Sequence, residues 1–190
     1  MTIVDSNSLG DPARYPTMEH LERSLAAMPG APADRGRLAL LVRRWEGGLR
    51  ETPERVRLEP DAGLPGDAWG RQKEPRPEAQ ITVMQVDVAE LIANGQPLML
   101  FGDNLFLDLD LSTPNLPAGS RVRVGGATLE VTPKPHNGCK KFHARFGPDA
   151  LRFVSRPDLR HRNFRGIYMR VVQPGEAAPG DPVEVIARGK

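Results

Sequence analysis

Cys139 is the only cysteine in a chain of 190 residues, and it sits inside a segment rich in bases. From Pro133 to Arg170 the sequence reads PKPHNGCKKFHARFGPDALRFVSRPDLRHRNFRGIYMR, with ten Lys and Arg against two acids, Asp149 and Asp158. That stretch carries a formal +8, whereas the whole chain carries +2, so the remainder is net acidic. A charge asymmetry this local points to a bound anion rather than to a generally basic protein. Lys140 and Lys141 follow Cys139 directly. Two ammonium groups with no acid nearby in sequence favour the thiolate and predict a lowered thiol pKa. A thiolate is either a nucleophile or a ligand for a soft metal. The plain alternative for a lone cysteine is a small buried hydrophobe. Pro135, Asn137 and Gly138 argue against it, because they set Cys139 on a turn instead of in an apolar run.

Three of the four histidines, His136, His143 and His161, lie in the same stretch. His136-x-x-Cys139-x-x-x-His143 with His161 is permissive for zinc, but it matches no closed structural zinc pattern and lacks a second cysteine. A Cys-His hydrolase with His136 or His143 as base is a further option, for which no orienting acid is evident. Nucleic acid would explain the charge, yet the aromatic residues there form no stacking motif. A compact phosphate-bearing ligand accounts for the charge and also gives the cysteine a use. Arg152, Arg156, Arg160 and Arg162 read as solvated surface, and Arg165, beside Gly166, is the best single anion-binding candidate.

The elements that must position these groups are short. Nineteen glycines and nineteen prolines argue for many turns. Residues 1–16 are polar and aperiodic and are expected to form a mobile arm. Thr17 caps a predicted helix with Met18, Leu21, Leu25 and Met28 on one face. Leu38 to Trp45 reads as a buried strand and residues 46–80 as mostly loop, with Gly63-Leu64-Pro65-Gly66-Asp67-Ala68-Trp69-Gly70 as its ordered part. Ile81 to Val86 is a strand, after which Asp87 and Glu90 form a capping box for a helix that stops at Asn94-Gly95. A turn at Gly102-Asp103-Asn104 leads into another strand. Arg121–Val124 and Ala127–Val131 make a hairpin about Gly125-Gly126. Pro148 to Ser155 is a short helix, and Gly166–Val172 and Pro182–Ile186 are closing strands. The pattern shows no repeat and no βαβ rhythm, and it predicts a mainly β barrel with a few short helices.

A chain of this length is most simply one domain with a short extension, divided as an arm and helix over 1–35 and a main domain over 36–190. No apolar run approaches the ~20 residues of a membrane span, and the first residues lack the pattern of a signal peptide. With one cysteine and no internal disulfide, a cytoplasmic protein is expected.

Several of these pieces recur together in one family. Gly63-Leu64-Pro65-Gly66-Asp67-Ala68-Trp69, Gln80-Ile81-Thr82-Val83-Met84, Gly102-Asp103-Asn104-Leu105, Gly119 to Gly125, Leu129 to Thr132, Gly138-Cys139-Lys140-Lys141-Phe142, Arg165 to Val172 and Gly180-Asp181-Pro182-Val183 follow one another in an order that resembles the MOSC domain. That family is named for the C-terminal domain of molybdenum-cofactor sulfurases, and the resemblance covers about residues 36–188. It implies a β-barrel like the barrel domain of pyruvate kinase. It also implies a molybdenum cofactor (molybdopterin), with Cys139 matching the family cysteine as molybdenum ligand or sulfur carrier. Lys140, Lys141 and Arg165 would then hold the pterin phosphate. Asn104 and Asp67 would bind the pterin or position a ligand, and His136 falls in the same cofactor-binding set. The sulfurases' pyridoxal-phosphate domain has no counterpart here, and the short N-terminus resembles the stand-alone branch of the family. Two functions are compatible with this. One is a small oxidoreductase that reduces N-hydroxylated or similar small-molecule substrates and needs an external electron donor, since no flavin, haem or iron–sulfur motif is present. The other is a carrier of persulfide or cofactor that delivers to a partner molybdoenzyme. Neither involves nucleic acid or a membrane.

Overall fold

A computed structural model describes residues 3–5 and 10–190. In chain order its elements are β1 (Ile3–Asp5), α1 (Met18–Ala27), β2 (Arg35–Leu41), β3 (Arg43–Arg44), β4 (Leu49–Glu51), β5 (Val56–Leu58), β6 (Ile81–Gln85), α2 (Val86–Ala93), β7 (Leu105–Asp108), β8 (Arg121–Val124), β9 (Ala127–Val131), α3 (Lys140–Val154), β10 (Ile167–Gln173), β11 (Gly175–Ala177) and β12 (Pro182–Ala187). Seven strands close a barrel in the order β10-β6-β7-β2-β12-β8-β9, with β9 returning to β10. The expected mainly β barrel with few short helices is therefore what the chain forms.

Side-chain alternation explains both faces of the barrel wall. Val83, Leu105 and Leu107 point inward to join Leu38, Val122, Leu129, Met169 and Val183 in the barrel core. Met84 and Phe106, one residue out of phase, point outward into a second core with Leu21, Ile92, Phe142, Phe146 and Phe153. All five residues of β6 are buried because helices cover its outer face. All pairs in the barrel are antiparallel except β6–β7, which is parallel and joined by α2. Parallel neighbours require such a crossover, so the fold contains one βαβ unit where the sequence pattern shows none.

Most expected elements form, and the differences are local. Thr17 accepts from the His20 N–H and caps α1 as expected. Asn94 closes α2 in the left-handed region, at φ 47°. At its start α2 departs from expectation: it begins at Val86, so Asp87 lies inside the first turn and takes the Gln85 amide and the Val88 N–H instead of capping. The strand expected through Trp45 breaks at Val42, and the stretch expected as mostly loop contributes β4 and β5. Of the expected arm, residues 1, 2 and 6–9 lie outside the described residues. Residues 10–16 are tied to α3 through the Gly10 N–H and Tyr15 hydroxyl, both donating to the Ala144 carbonyl. The helix expected from Pro148 is the second half of α3, which breaks at Gly147 (φ 86°). A Cβ there would meet the Tyr15 ring at 2.7 Å.

Candidate functional site

One cleft of about 400 Å³ collects residues from several distant parts of the chain. β3 and β4 supply Arg44 and Arg50, the turn before β7 supplies Gly102 and Asp103, the first turns of α3 supply Cys139, Lys141, Phe142 and Arg145, and the approach to β10 supplies Arg165 and Tyr168. Ala68, from the glycine-rich segment 63–70, also lines it. Both glycine turns thus contribute to the cleft that Cys139 lines, as expected of backbone that must come near a ligand. Five cations line this cleft and Asp103 is its only acid. Its size is that of a small-molecule site.

Cys139 is exposed and stands at the N-cap of α3, at φ −134° and ψ 176°, with no capping bond from its side chain. It is the last residue of the irregular segment between β9 and α3, where the local glycine and proline predict a turn, and it also occupies the N-cap of the helix. The first N–H groups of α3 lack intrahelical partners and lend that end a positive potential.

The arginines differ in how they are held. Arg165 is buried and donates from Nη1 to Asp103 Oδ2 at 2.8 Å, and its guanidinium lies 5.2 Å from the Phe142 ring centroid. Arg50 is buried and donates to the carbonyls of Met99 and Leu100. Arg145 donates to the same Leu100 carbonyl at 2.9 Å. Burial, followed by the charges of Arg145 and Arg44, pushes the Arg50 guanidinium down to about 9. Burial, with Arg165, also pushes Arg145 below its usual value. Arg50 and Arg145 share the Leu100 carbonyl, and buried cations packed this closely form a site that an anion would relieve.

Arg44 is fixed by a buried polar network. Its Nε donates to both oxygens of Asp67, its Nη2 to Asp67 Oδ2 and Asn104 Oδ1, and its backbone N–H to Asp67 Oδ1 at 2.8 Å. Asn104 is fully buried, donating to the Val42 carbonyl and Asp67 and accepting from the Thr82 N–H and hydroxyl. Burial disfavours the Asp67 carboxylate, but the hydrogen bond and charge of Arg44 and the N–H groups of Trp69 and Arg44 outweigh it and hold its pKa below the usual value. Asp67 and Asn104 therefore stand behind the cleft wall, with their polar atoms committed to the protein, and act on Arg44.

His136 lines the cleft with a 7% exposed side chain, its ring packed at 4.5 Å on Tyr168. Burial first, and then Arg165, pushes its pKa down to about 3, so it is neutral near pH 7. Its Nδ1 lies 3.6 Å from Asp103 Oδ1, too far for a hydrogen bond, and neither atom has a partner. Gly166 (φ 95°) makes room for this packing, since a Cβ there would fall 2.3 Å from the Val83 carbonyl oxygen and 3.3 Å from His136 Nδ1.

Of the residues the sequence singles out, Cys139, Lys141, Arg165 and His136 come together in the cleft, whereas Lys140 is exposed beside it and does not line it. His143 and His161 are exposed and lie elsewhere, and no three His, Cys, Asp or Glu among the described residues gather as a metal site. Arg152 and Arg156 pair with surface acids, and Arg160 and Arg162 are exposed. Arg44, Arg50, Arg145 and Asp103 are the functional candidates that sequence reasoning passed over. For Arg145 a signal exists: Cys139, Phe142 and Arg145 recur every three residues, the spacing of one helix face.

A seven-stranded barrel bearing a cationic cleft beside a single exposed thiol defines the class. The profile of the MOSC domain matches residues 76–184, more than half of the chain, and the chain belongs to the MOSC domain family. Its fold is also that of solved structures. YuaD from Bacillus subtilis is 18% identical at a TM-score of 0.55, over 82% of this chain and 97% of that one. YiiM from Escherichia coli is 20% identical at 0.55, over 81% and 71%. A further structure, described as a hypothetical protein, is 20% identical at 0.60, over 81% and 69%. No curated protein matches the chain in sequence. No helix among the described residues is long and apolar enough to cross a membrane.

Proposed function

We propose that this MOSC domain protein binds a molybdenum cofactor in the cleft and acts as a small oxidoreductase on N-hydroxylated or similar substrates. The observation that carries the reading is the juxtaposition of an exposed thiol with five cations and one carboxylate in a cleft of about 400 Å³. The donor set fits the group: sulfur suits a soft, high-valent metal, and clustered guanidinium groups suit a phosphate. Cys139 is the metal ligand. Arg50, Arg145 and Lys141 would hold its phosphate, and Arg44, kept in place by Asp67 and Asn104, would offer the group a further fixed cation. Arg165 is neutralised by Asp103 and lines the cleft together with Cys139 and His136. When bound, such a cofactor supplies two-electron redox chemistry at its metal, and the electrons come from an external donor.

The test is molybdenum and pterin content after expression in a cofactor-producing host. The wild-type chain retains both, and Cys139→Ala loses molybdenum while keeping its fold. A wild-type protein that emerges from such a host without molybdenum or pterin overturns the reading. The exposure of Cys139 favours a second function, a carrier that accepts sulfane sulfur on the thiol and delivers it to a partner molybdoenzyme. Mass spectrometry of the purified chain separates the two, because only the carrier shows an added sulfur on Cys139.

A further inference from the structure

Three large apolar side chains among the described residues are conspicuously exposed: Trp45 at 41%, Leu49 at 43% and Ile186 at 41%. Two of the three, Trp45 and Leu49, line the cleft described above. They stand on the β3–β4 hairpin, whose two strands pair antiparallel across a turn at Gly47-Gly48.

Trp45 is held in place although it is exposed. Its indole N–H donates to Glu51 Oε2 at 2.7 Å, and Arg43 binds the same oxygen at 3.1 Å. The Arg43 guanidinium also lies 5.4 Å from the Trp45 ring centroid. The backbone N–H of Trp45 bonds to the Leu49 carbonyl at 2.8 Å. Gly66 leaves room for the far edge of the ring, which a Cβ at that position would approach to 3.2 Å. A solvated tryptophan with no role has no need of such fixing, and an immobilised aromatic ring is a low-entropy surface for a ligand. Next to Leu49 on β4, Arg50 is buried and bonded to carbonyls. The cleft is therefore cationic within and apolar along one side.

We infer that the cleft is built for a small anion that carries a planar or aromatic body, its charged head at Arg50 and Arg145 and its body against Trp45 and Leu49. The inference deepens the function proposed above, resting on its anion-binding cleft and not on its metal. Planarity and negative charge occur together in a phosphorylated ring cofactor and equally in an aromatic substrate anion. Both present the same chemistry to Trp45.

The test uses the full chain without added metal and three probes: phenylphosphonate, methylphosphonate and inorganic phosphate, followed by calorimetry and by tryptophan fluorescence. Trp69 is buried, so Trp45 reports the cleft. Phenylphosphonate is expected to bind about fivefold more tightly than methylphosphonate, the increment of one aromatic contact. Trp45→Ala abolishes that preference and leaves methylphosphonate affinity unchanged, whereas Trp45→Phe keeps most of it. Arg50→Gln weakens all three probes, and its thermal melt without ligand shows whether it is folded. Equal affinities for the two phosphonates, a preference that survives Trp45→Ala, or no binding of any probe overturns the inference. Pterin content of Trp45→Ala from a cofactor-producing host then identifies the source. A drop sets the cofactor's own ring on Trp45, and an unchanged content alongside a lost phenyl preference sets a substrate's ring there. Phosphonate binding without molybdenum retention would refute the metal reading alone.

Discussion

Arg165 and Asp103 form an ion pair at 2.8 Å, with side chains only 9% and 1% exposed. Both members of this pair line the cleft, whereas Arg44, which also lines it, pairs with Asp67 behind the wall. Breaking a buried pair from one side leaves the other charge stranded and costs about 3–5 kcal/mol. Arg165→Ala is therefore expected to lose stability in that range by urea unfolding, before any effect on ligands is considered. The double variant Arg165→Met with Asp103→Asn should recover most of the loss, because neither charge remains. A loss below about 1 kcal/mol for Arg165→Ala would mean that Asp103 regains solvent and that the pair is not a structural element of the wall.

His136 makes a different, pH-dependent prediction. Its folded-state pKa of about 3 lies below the ~6.5 of an unfolded histidine, so between those values the unfolded chain binds the extra proton. The stability from neutral His136 is fully present above about pH 6.5 and is lost as pH falls toward 3. Between pH 6.5 and 5, before most carboxylates titrate, the loss amounts to about 1.6 kcal/mol. Unfolding free energies at those two pH values should show it for the wild type and not for His136→Asn. An equal slope in both proteins would place the titration elsewhere.

How much of this was legible in the sequence follows from which signals burial leaves there. The barrel strands were readable because alternating apolar residues, as in Arg121–Val124 and Ala127–Val131, fill an interior on every second position. The cysteine side of the cleft was readable as charge and turn chemistry around Cys139. The opposite wall was not. Arg44 and Arg50 flank a glycine pair in a stretch that reads as the end of a strand and a loop; they stand on β3 and β4, in a small sheet outside the barrel, and only the tertiary fold brings them to the cleft that α3 lines. Arg145 was hidden because Gly147-Pro148 reads as a helix start, although α3 begins at Lys140 and merely breaks there. Asp67 and Asn104 were recognised as significant, but residue type does not reveal whether a polar atom faces a ligand or another buried polar atom.

Asp67 carries the third prediction. Its depressed carboxyl pKa means that its contribution is present above the unfolded value of ~3.9 and is lost as pH falls through the lower folded value. Asp67→Asn should therefore be less stable than wild type by about 2–3 kcal/mol near pH 7, the scale of hydrogen bonds to a charged group. The gap should narrow below about pH 4. Paired urea titrations at pH 7 and pH 3 measure it. A gap of constant size would show that Asp67 acts through packing and not through the charge of Arg44.

The last prediction sets stability against chemistry at a single atom. Cys139 occupies the N-cap of α3 with extended backbone angles and makes no capping bond, so that turn forgoes a stabilisation that a hydroxyl provides. Cys139→Ser should raise stability by about 0.5–1 kcal/mol, the usual gain from a serine at this position. The same change should abolish molybdenum retention, since a neutral hydroxyl is a poor ligand for a soft metal. Melting temperature and metal content measured on one preparation decide both. A lowered melting temperature for Cys139→Ser would reveal a structural contact of the thiol. A raised melting temperature with molybdenum still bound would remove Cys139 from the metal site and leave the arginines to account for the cleft by themselves.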